Sequence, residues 1–225
     1  MLKYVVITAG GTGKRMRRAK PKQFIEVAGK PLLMHTFEAF VRFDPSLHFV
    51  LVISDNMVGC WLELVKQYKF NIAHQIASGG PSRFHSVKSG LRLVPEDAIV
   101  AIHDGVRPLV SEETLSRVFD NAIRFGNAIP VVESKDSLRQ VHYGTNQPLD
   151  RGGIRLVQTP QAFQAGIIKK AYNRNYKDIF TDDATVYEAS GHRITLVEGN
   201  PENIKVTTPD DLILAEALLM QRMRQ

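Results

Sequence analysis

Short Val- and Ile-rich runs alternate with longer amphipathic stretches along the whole chain, and this alternation restricts the fold more than any other feature. The runs Tyr4–Thr8, Phe49–Ile53, Ile72–Ile76, Ala98–Ile102, Ala128–Val132 and Ile194–Val197 are mostly apolar on both faces. Strands look like this when helices cover both sides of a parallel sheet. Between them the spacing predicts helices over Leu32–Phe43, Val58–Lys69, Ser82–Leu93, Glu112–Phe125, Ala165–Asn173, Asp182–Ala189 and Pro209–Met223. Thr208 before Pro209, Asp210 and Asp211 reads as an N-cap, a proline at the first helical position and two acids facing the helix dipole. Ser111-Glu112-Glu113 and Thr181-Asp182-Asp183 repeat that logic, and Gly191 is a stop signal. The order predicts an α/β fold: a doubly wound, Rossmann-like, mostly parallel sheet in one domain over residues 1–225. Ligands of such sheets sit at the carboxyl ends of the strands. Residues 134–158 break the pattern with polar text, Gly144, Gly152 and Gly153, and alternating pieces at 137–141 and 154–157. They predict an inserted β-arm that covers the site or reaches a partner subunit.

Charge narrows the function. The net charge is +6, and six basic residues fall within nine positions: Lys14, Arg15, Arg17, Arg18, Lys20 and Lys22. Without them basic and acidic residues are equal in number. A nucleic-acid binder spreads its positive charge over a face or stripe, whereas one knot in a loop suits a compact polyanion such as a triphosphate. No run is long and apolar enough to span a membrane, and the opening residues read as a first strand rather than a signal peptide. The single cysteine, Cys60, excludes an intrachain disulfide and fits a reducing cytoplasm, with a small buried apolar side chain as its plainest role.

The first strand runs into Thr8-Ala9-Gly10-Gly11-Thr12-Gly13-Lys14-Arg15-Met16, followed by Pro21-Lys22-Gln23. Glycines there let the backbone turn tightly and offer N–H groups to phosphates. A dinucleotide fingerprint needs glycine where Met16 stands, which disfavours an NAD-dependent oxidoreductase. A P-loop needs glycine at Thr8 and Ser or Thr at Arg15. What is left is a glycine loop followed by fixed cations, as phosphoryl or nucleotidyl transfer requires; a solvated basic loop without a ligand is the plain alternative. Gly79-Gly80-Pro81-Ser82 reads as a turn into a helix, and Asp104 stands at the active edge of the sheet. Asp104 has two readings: a substrate or metal contact, or a partner of Arg107 that fixes a turn. His103 reads as a packed, hydrogen-bonded side chain.

Taken together, the blocks resemble the 2-C-methyl-D-erythritol 4-phosphate cytidylyltransferases, and less closely the ribitol-5-phosphate cytidylyltransferases. The likeness runs from Ala9 to Met16 and Pro21 to Phe24, through Ser78-Gly79-Gly80, Arg83 and Ser86-Val87, to His103–Pro108. It continues at Asp150-Arg151, Gln158–Gln161, Thr181–Ala184 and Glu198–Thr207. The resemblance implies transfer of a cytidylyl group from CTP to methylerythritol phosphate, with release of pyrophosphate, in non-mevalonate isoprenoid precursor synthesis. It implies Arg15 and Lys22 as catalytic residues, and Ala9, Gly10, Gly11, Gly13, Gly79, Gly80 and Ser86 around the nucleotide. It assigns Asp104, Ser137, Arg151, Thr159 and Lys205 to the acceptor, Asp104 also to Mg²⁺ directly or through water, and the 134–158 arm to a homodimer. Many relatives carry an acid where Pro81 stands, so recognition at that point rests on backbone groups. A ribitol phosphate acceptor and a non-enzymatic nucleotide-binding module remain the alternatives.

Overall fold

The structure, a computed structural model, describes residues 1–11 and 21–224. Its centre is an eight-stranded sheet. The strands β1 (Lys3–Thr8), β4 (His48–Ile53), β5 (Gln75–Ser78) and β6 (Ile99–Asp104) are parallel, in the order β5-β4-β1-β6. Strand order reverses at β1, so the crevice between the ends of β1 and β6 is a topological switch point. Beyond β6 lies β11 (Gln161–Gln164), antiparallel to β6 and to β7 (Asn127–Glu133). β7 then pairs antiparallel with β10 (Arg155–Val157) and parallel with β12 (Leu196–Glu198). A small ribbon, β2 (Glu26–Val27) with β3 (Lys30–Pro31), precedes the first helix.

Alternation along the inner strands divides the core into two layers. Val5 and Ile7, Phe49, Leu51 and Ile53, and Ile99 and Ala101 face one side. They pack against α1 (Leu32–Phe43), α2 (Asp55–Gln67) and α4 (Glu112–Phe125). Val6, Val50 and Val52, and Val100 and Ile102 face the other, under α3 (Arg83–Leu91), α5 (Ala165–Ala171) and α6 (Asp183–Glu188). A third cluster joins α7 (Pro209–Met223) to Val106, Leu109 and Val206. α3 lies close on the sheet, for a Cβ at Gly90 would meet Val52 Cγ2 at 2.6 Å and Val6 Cγ1 at 2.7 Å. Trp61 is fully buried, stacks on Phe24 at 6.0 Å between ring centroids, and donates from Nε1 to His74 Nε2 at 2.9 Å. Cys60 is half-buried against the same layer. Among the described residues no helix is long and apolar enough to cross a membrane.

Caps follow the sequence closely. Thr208 and Asp211 form a capping box on α7, with Pro209 in its first turn, and Ser111 caps α4. On α6 the cap is Asp182, not Thr181, and Gly191 adopts φ +86° just beyond the helix. Three expectations need correction. α2 begins at Asp55 rather than Val58, β5 lies at 75–78 rather than 72–76, and β11 was not foreseen. The arm is also shorter than 134–158. Its hairpin is β8 (Leu138–His142) with β9 (Thr145–Leu149), whereas 155–157 rejoins the main sheet as β10.

Candidate active site

At the switch point lies a cavity of roughly 420 Å³ lined by Thr8–Gly11, Lys22, Gln23, Gly80–Arg83, Ser86, Asp104, Val106 and Lys205. Its walls come from the ends of β1 and β6, the short turn from Lys22 and the turn into α3. Ala9 N–H donates to Val52 O at 2.8 Å, and Ala9 O accepts from Gln23 Nε2 at 2.6 Å. Ala9 therefore anchors the glycine loop, and Gly10 and Gly11 are the candidates for offering amides to a ligand. Ser54 Oγ donates to Gly10 O at 3.3 Å and does not cap α2. On the second wall Gly80 N–H donates to Ser86 Oγ at 3.0 Å, and Ser86 Oγ donates to Ser82 O at 3.0 Å. A Cβ at Gly80 would fall 2.3 Å from His85 Cβ, so only glycine fits that turn as it is packed.

The floor is one carboxylate among cations. Asp104 Oδ2 lies 3.0 Å from Lys205 Nζ and 3.3 Å from Arg107 Nε, and Oδ1 lies 3.7 Å from Arg83 Nε. Burial alone would raise the Asp104 pKa; Arg83, Lys205 and Arg107 outweigh it and hold the group well below the usual carboxylate range. Behind it His103 is fully buried, donating from Nε2 to Arg107 O at 3.0 Å. Its Nδ1 lies 3.1 Å from Thr159 Oγ1, which also accepts from Asp104 N–H at 3.1 Å. Burial brings the His103 pKa down to about 4, so the ring is neutral at pH 7 and supports the floor. Arg107 is tied down through Nη1 to Asn203 O at 2.7 Å, and Lys22 Nζ donates to Val206 O at 3.2 Å, beside Lys205. Arg83, half-buried at the cavity wall, grips the fully buried Asp183 through two bonds, 2.9 and 2.6 Å. Among the described residues no three acidic, His or Cys side chains gather to hold a metal ion.

Residues 3–221 match the family described as IspD: 2-C-methyl-D-erythritol 4-phosphate cytidylyltransferase. The chain belongs to that family. Cytidylyltransferases of this name from Bacteroides fragilis and Phocaeicola vulgatus are 47% and 46% identical over 219 residues, covering 97% of this chain and 100% of each relative. Among solved structures, the 4-diphosphocytidyl-2C-methyl-D-erythritol synthase of Anaerococcus prevotii superposes with a TM-score of 0.82 at 28% identity, over 97% of this chain and 96% of its own. The cytidylyltransferase of Thermus thermophilus gives 0.79 at 30%, over 98% and 100%.

Against the cytidylyltransferase resemblance, the structure brings together Ala9, Gly10, Gly11, Lys22, Gly80, Ser86, Asp104 and Lys205 around one cavity. Gly13 and Arg15 lie outside the described residues. Two placements, of Gly79 and Thr159, differ from expectation. Gly79 donates its amide to Ile53 O at 2.7 Å and stands behind the wall. Thr159 is buried, its hydroxyl engaged by His103 and the Asp104 amide, so it orients Asp104 rather than facing a ligand. Ser137 and Arg151 are exposed on the arm, away from the cavity of their own chain, with Arg151 Nη1 donating to Lys135 O at 2.7 Å. Arg151 instead borders a larger groove of roughly 1130 Å³ between the arm and the β7 edge. Sequence reading missed Ser54 and Gln23 as anchors of the glycine loop. It gave no role to Arg83 and read Asp183 only as an acid at a helix start, although both stand inside quoted motifs. Both readings of Asp104 fit in part, since it pairs with Arg107 and lines the cavity.

Proposed function

We propose that this chain, acting in the cytoplasm, transfers the cytidylyl group of CTP to 2-C-methyl-D-erythritol 4-phosphate, giving 4-diphosphocytidyl-2-C-methyl-D-erythritol and pyrophosphate. The observation that carries this reading is the placement of Asp104, Lys205 and Lys22 in one cavity with the glycine loop, at the switch point of the sheet. Family membership names the reaction, and the cavity's chemistry accords with it. An acceptor phosphate oxygen attacks the α-phosphorus, a new P–O bond forms, and the bond to the β-phosphate oxygen breaks to release pyrophosphate. The attacking group is already an anion, so no general base is required, which agrees with a neutral, enclosed His103.

The reaction needs alignment of two polyanions and relief of charge at the α-phosphate. Lys22, with Arg15 by family likeness, supplies that relief, and the amides of Gly10 and Gly11 hold the triphosphate. The Gly80–Ser86 wall meets the cytosine, where matched hydrogen bonds separate it from uracil. Asp104 accepts from the acceptor's hydroxyls and Lys205 pairs with its phosphate. Asp104 is the only acid lining the cavity among the described residues, and three cations already surround it. Such a set fits Mg²⁺ carried on triphosphate oxygens, with Asp104 as its one protein contact, direct or through water. When bound, the ion neutralises charge on the triphosphate. A homodimer, formed through the arm, would bring Ser137 and Arg151 of one copy to the cavity of the other. The exposure of Val141 and Tyr143 at the hairpin, 72% and 93%, supports a covering partner.

Pyrophosphate release with CTP and Mg²⁺ tests the reading, with methylerythritol phosphate and ribitol 5-phosphate compared as acceptors. Turnover with the first alone is expected. Preference for ribitol phosphate would move the chain to the sister activity, and release with neither would leave a nucleotide-binding scaffold.

A further inference from the structure

A network just beyond the cavity floor has no part in the chemistry described so far. Arg83 lines the cavity, and its guanidinium lies between two carboxylates, Asp104 within the site and Asp183 behind it. Nη1 donates to Asp183 Oδ1 at 2.9 Å and Nη2 to Oδ2 at 2.6 Å, while Nε points its edge toward Asp104 Oδ1 at 3.7 Å. Tyr172 donates its hydroxyl to the same Asp183 Oδ1 at 2.6 Å. Asp183 is fully buried and Tyr172 1% exposed, so this anchor is shielded from water.

We propose that Asp183 and Tyr172 are positioning residues that hold Arg83 as a rigid bracket against Asp104, and so fix the carboxylate with which Asp104 meets the acceptor. The inference rests on the cytidylyl-transfer reading, which gives Asp104 to the acceptor. Three observations carry it. A two-point fork fixes the plane of a guanidinium, where a single contact would let it swing. Lys205 and Arg107 both engage Oδ2 of Asp104, and Arg83 is the cation set against Oδ1. Finally, the bracket is tied to the strand next to Asp104. Gln161, paired with Ile102 of β6, accepts from Ala184 N–H at 2.9 Å and donates to Asp182 Oδ2 at 2.9 Å, which seats the first turn of α6. A rotation of α6 would therefore reach Asp104 through Arg83.

The test compares Asp183→Asn, Tyr172→Phe and Arg83→Lys with the wild type. Turnover is followed by pyrophosphate release, with KM measured separately for CTP and for methylerythritol phosphate, and folding is checked by circular dichroism and thermal melting. For Asp183→Asn, kcat/KM for the acceptor should fall at least tenfold while KM for CTP stays within about twofold. Tyr172→Phe should shift the same way by a smaller factor, about two- to fivefold. Arg83→Lys should lose as much as Asp183→Asn although it keeps the charge, because an ammonium cannot bridge both carboxylates. A purely structural pair would lower the melting temperature without separating the two substrates. Folded variants with unchanged acceptor kinetics, or with equal losses on CTP and acceptor, would overturn the proposal. If Asp183→Asn does not fold, Arg83→Lys decides by the same criterion. Absence of wild-type turnover with this acceptor would instead remove the reaction assignment, and this inference with it.

Discussion

Asp104 and Lys22 divide the residue-scale chemistry between orientation and charge. Asp104 is ionised and held from every side: the Thr159 hydroxyl takes its amide, two cations take Oδ2, and a third faces Oδ1. Lys22 lines the same cavity and touches the backbone of Val206, next to Lys205. Its charge thus stands near where a triphosphate would lie. Removing one such donor from developing charge typically costs about 10²–10³ in rate. Lys22→Ala should accordingly lower kcat by about that factor in steady-state pyrophosphate release, with a much smaller change in CTP affinity. A kcat within about twofold of wild type would deny Lys22 its catalytic role. Sheet order put Asp104 at a strand end, and β6 does end there, while Lys22, read only as a cation after the glycine loop, lies in a short turn that lines the same cavity. The sequence could not show the Arg83–Asp183 fork, whose partners are 100 positions apart and meet only through tertiary packing.

At the element scale, what was legible is what repeats. The inner strands β1, β4 and β6 alternate between two buried layers, and the long helices carry caps, so both stand out in the sequence. Among the described residues β5 pairs only with β4, and its residues are mostly exposed or half-buried, which blurs its apolar signal and let the expected strand slip by two to three residues. β11 is four residues long and follows Thr159-Pro160, so it reads as the end of a turn; pairing with β6 and β7 makes it a strand. The β8–β9 hairpin forms a separate two-stranded sheet, and a hairpin alone in water is marginal. Replacing residues 138–149 with a short Gly-Ser link should therefore leave the thermal melt nearly intact and, under the proposed homodimer, halve the mass seen by light scattering. An unchanged mass would refute the arm as the dimer contact.

For the whole molecule, the buried titratable groups set how stability follows pH. His103 has a folded value of about 4, below the roughly 6.5 of the unfolded chain, with burial as the leading cause. As pH falls from about 6.5 toward 4, the unfolded chain takes up a proton that the fold refuses, so stability declines, by up to roughly 3 kcal/mol from this group. Burial lowers the His35 pKa as well, which adds to the loss in the same window. Asp104, whose folded value is depressed by its three cations, adds a further loss below about pH 4. Urea midpoints should fall steadily between pH 7 and 4.5, and His103→Gln should flatten that slope. A slope identical to wild type would assign the titration elsewhere, to His35 first. The stacking of Trp61 on Phe24 has a different consequence. Phe24 ends the short turn that begins at Lys22, and the chain has no other tryptophan. Excited beyond the absorption of its tyrosines, the chain thus emits from one indole against the back of the Lys22 turn, an intrinsic fluorophore whose spectrum reports the packing of that turn without any attached dye.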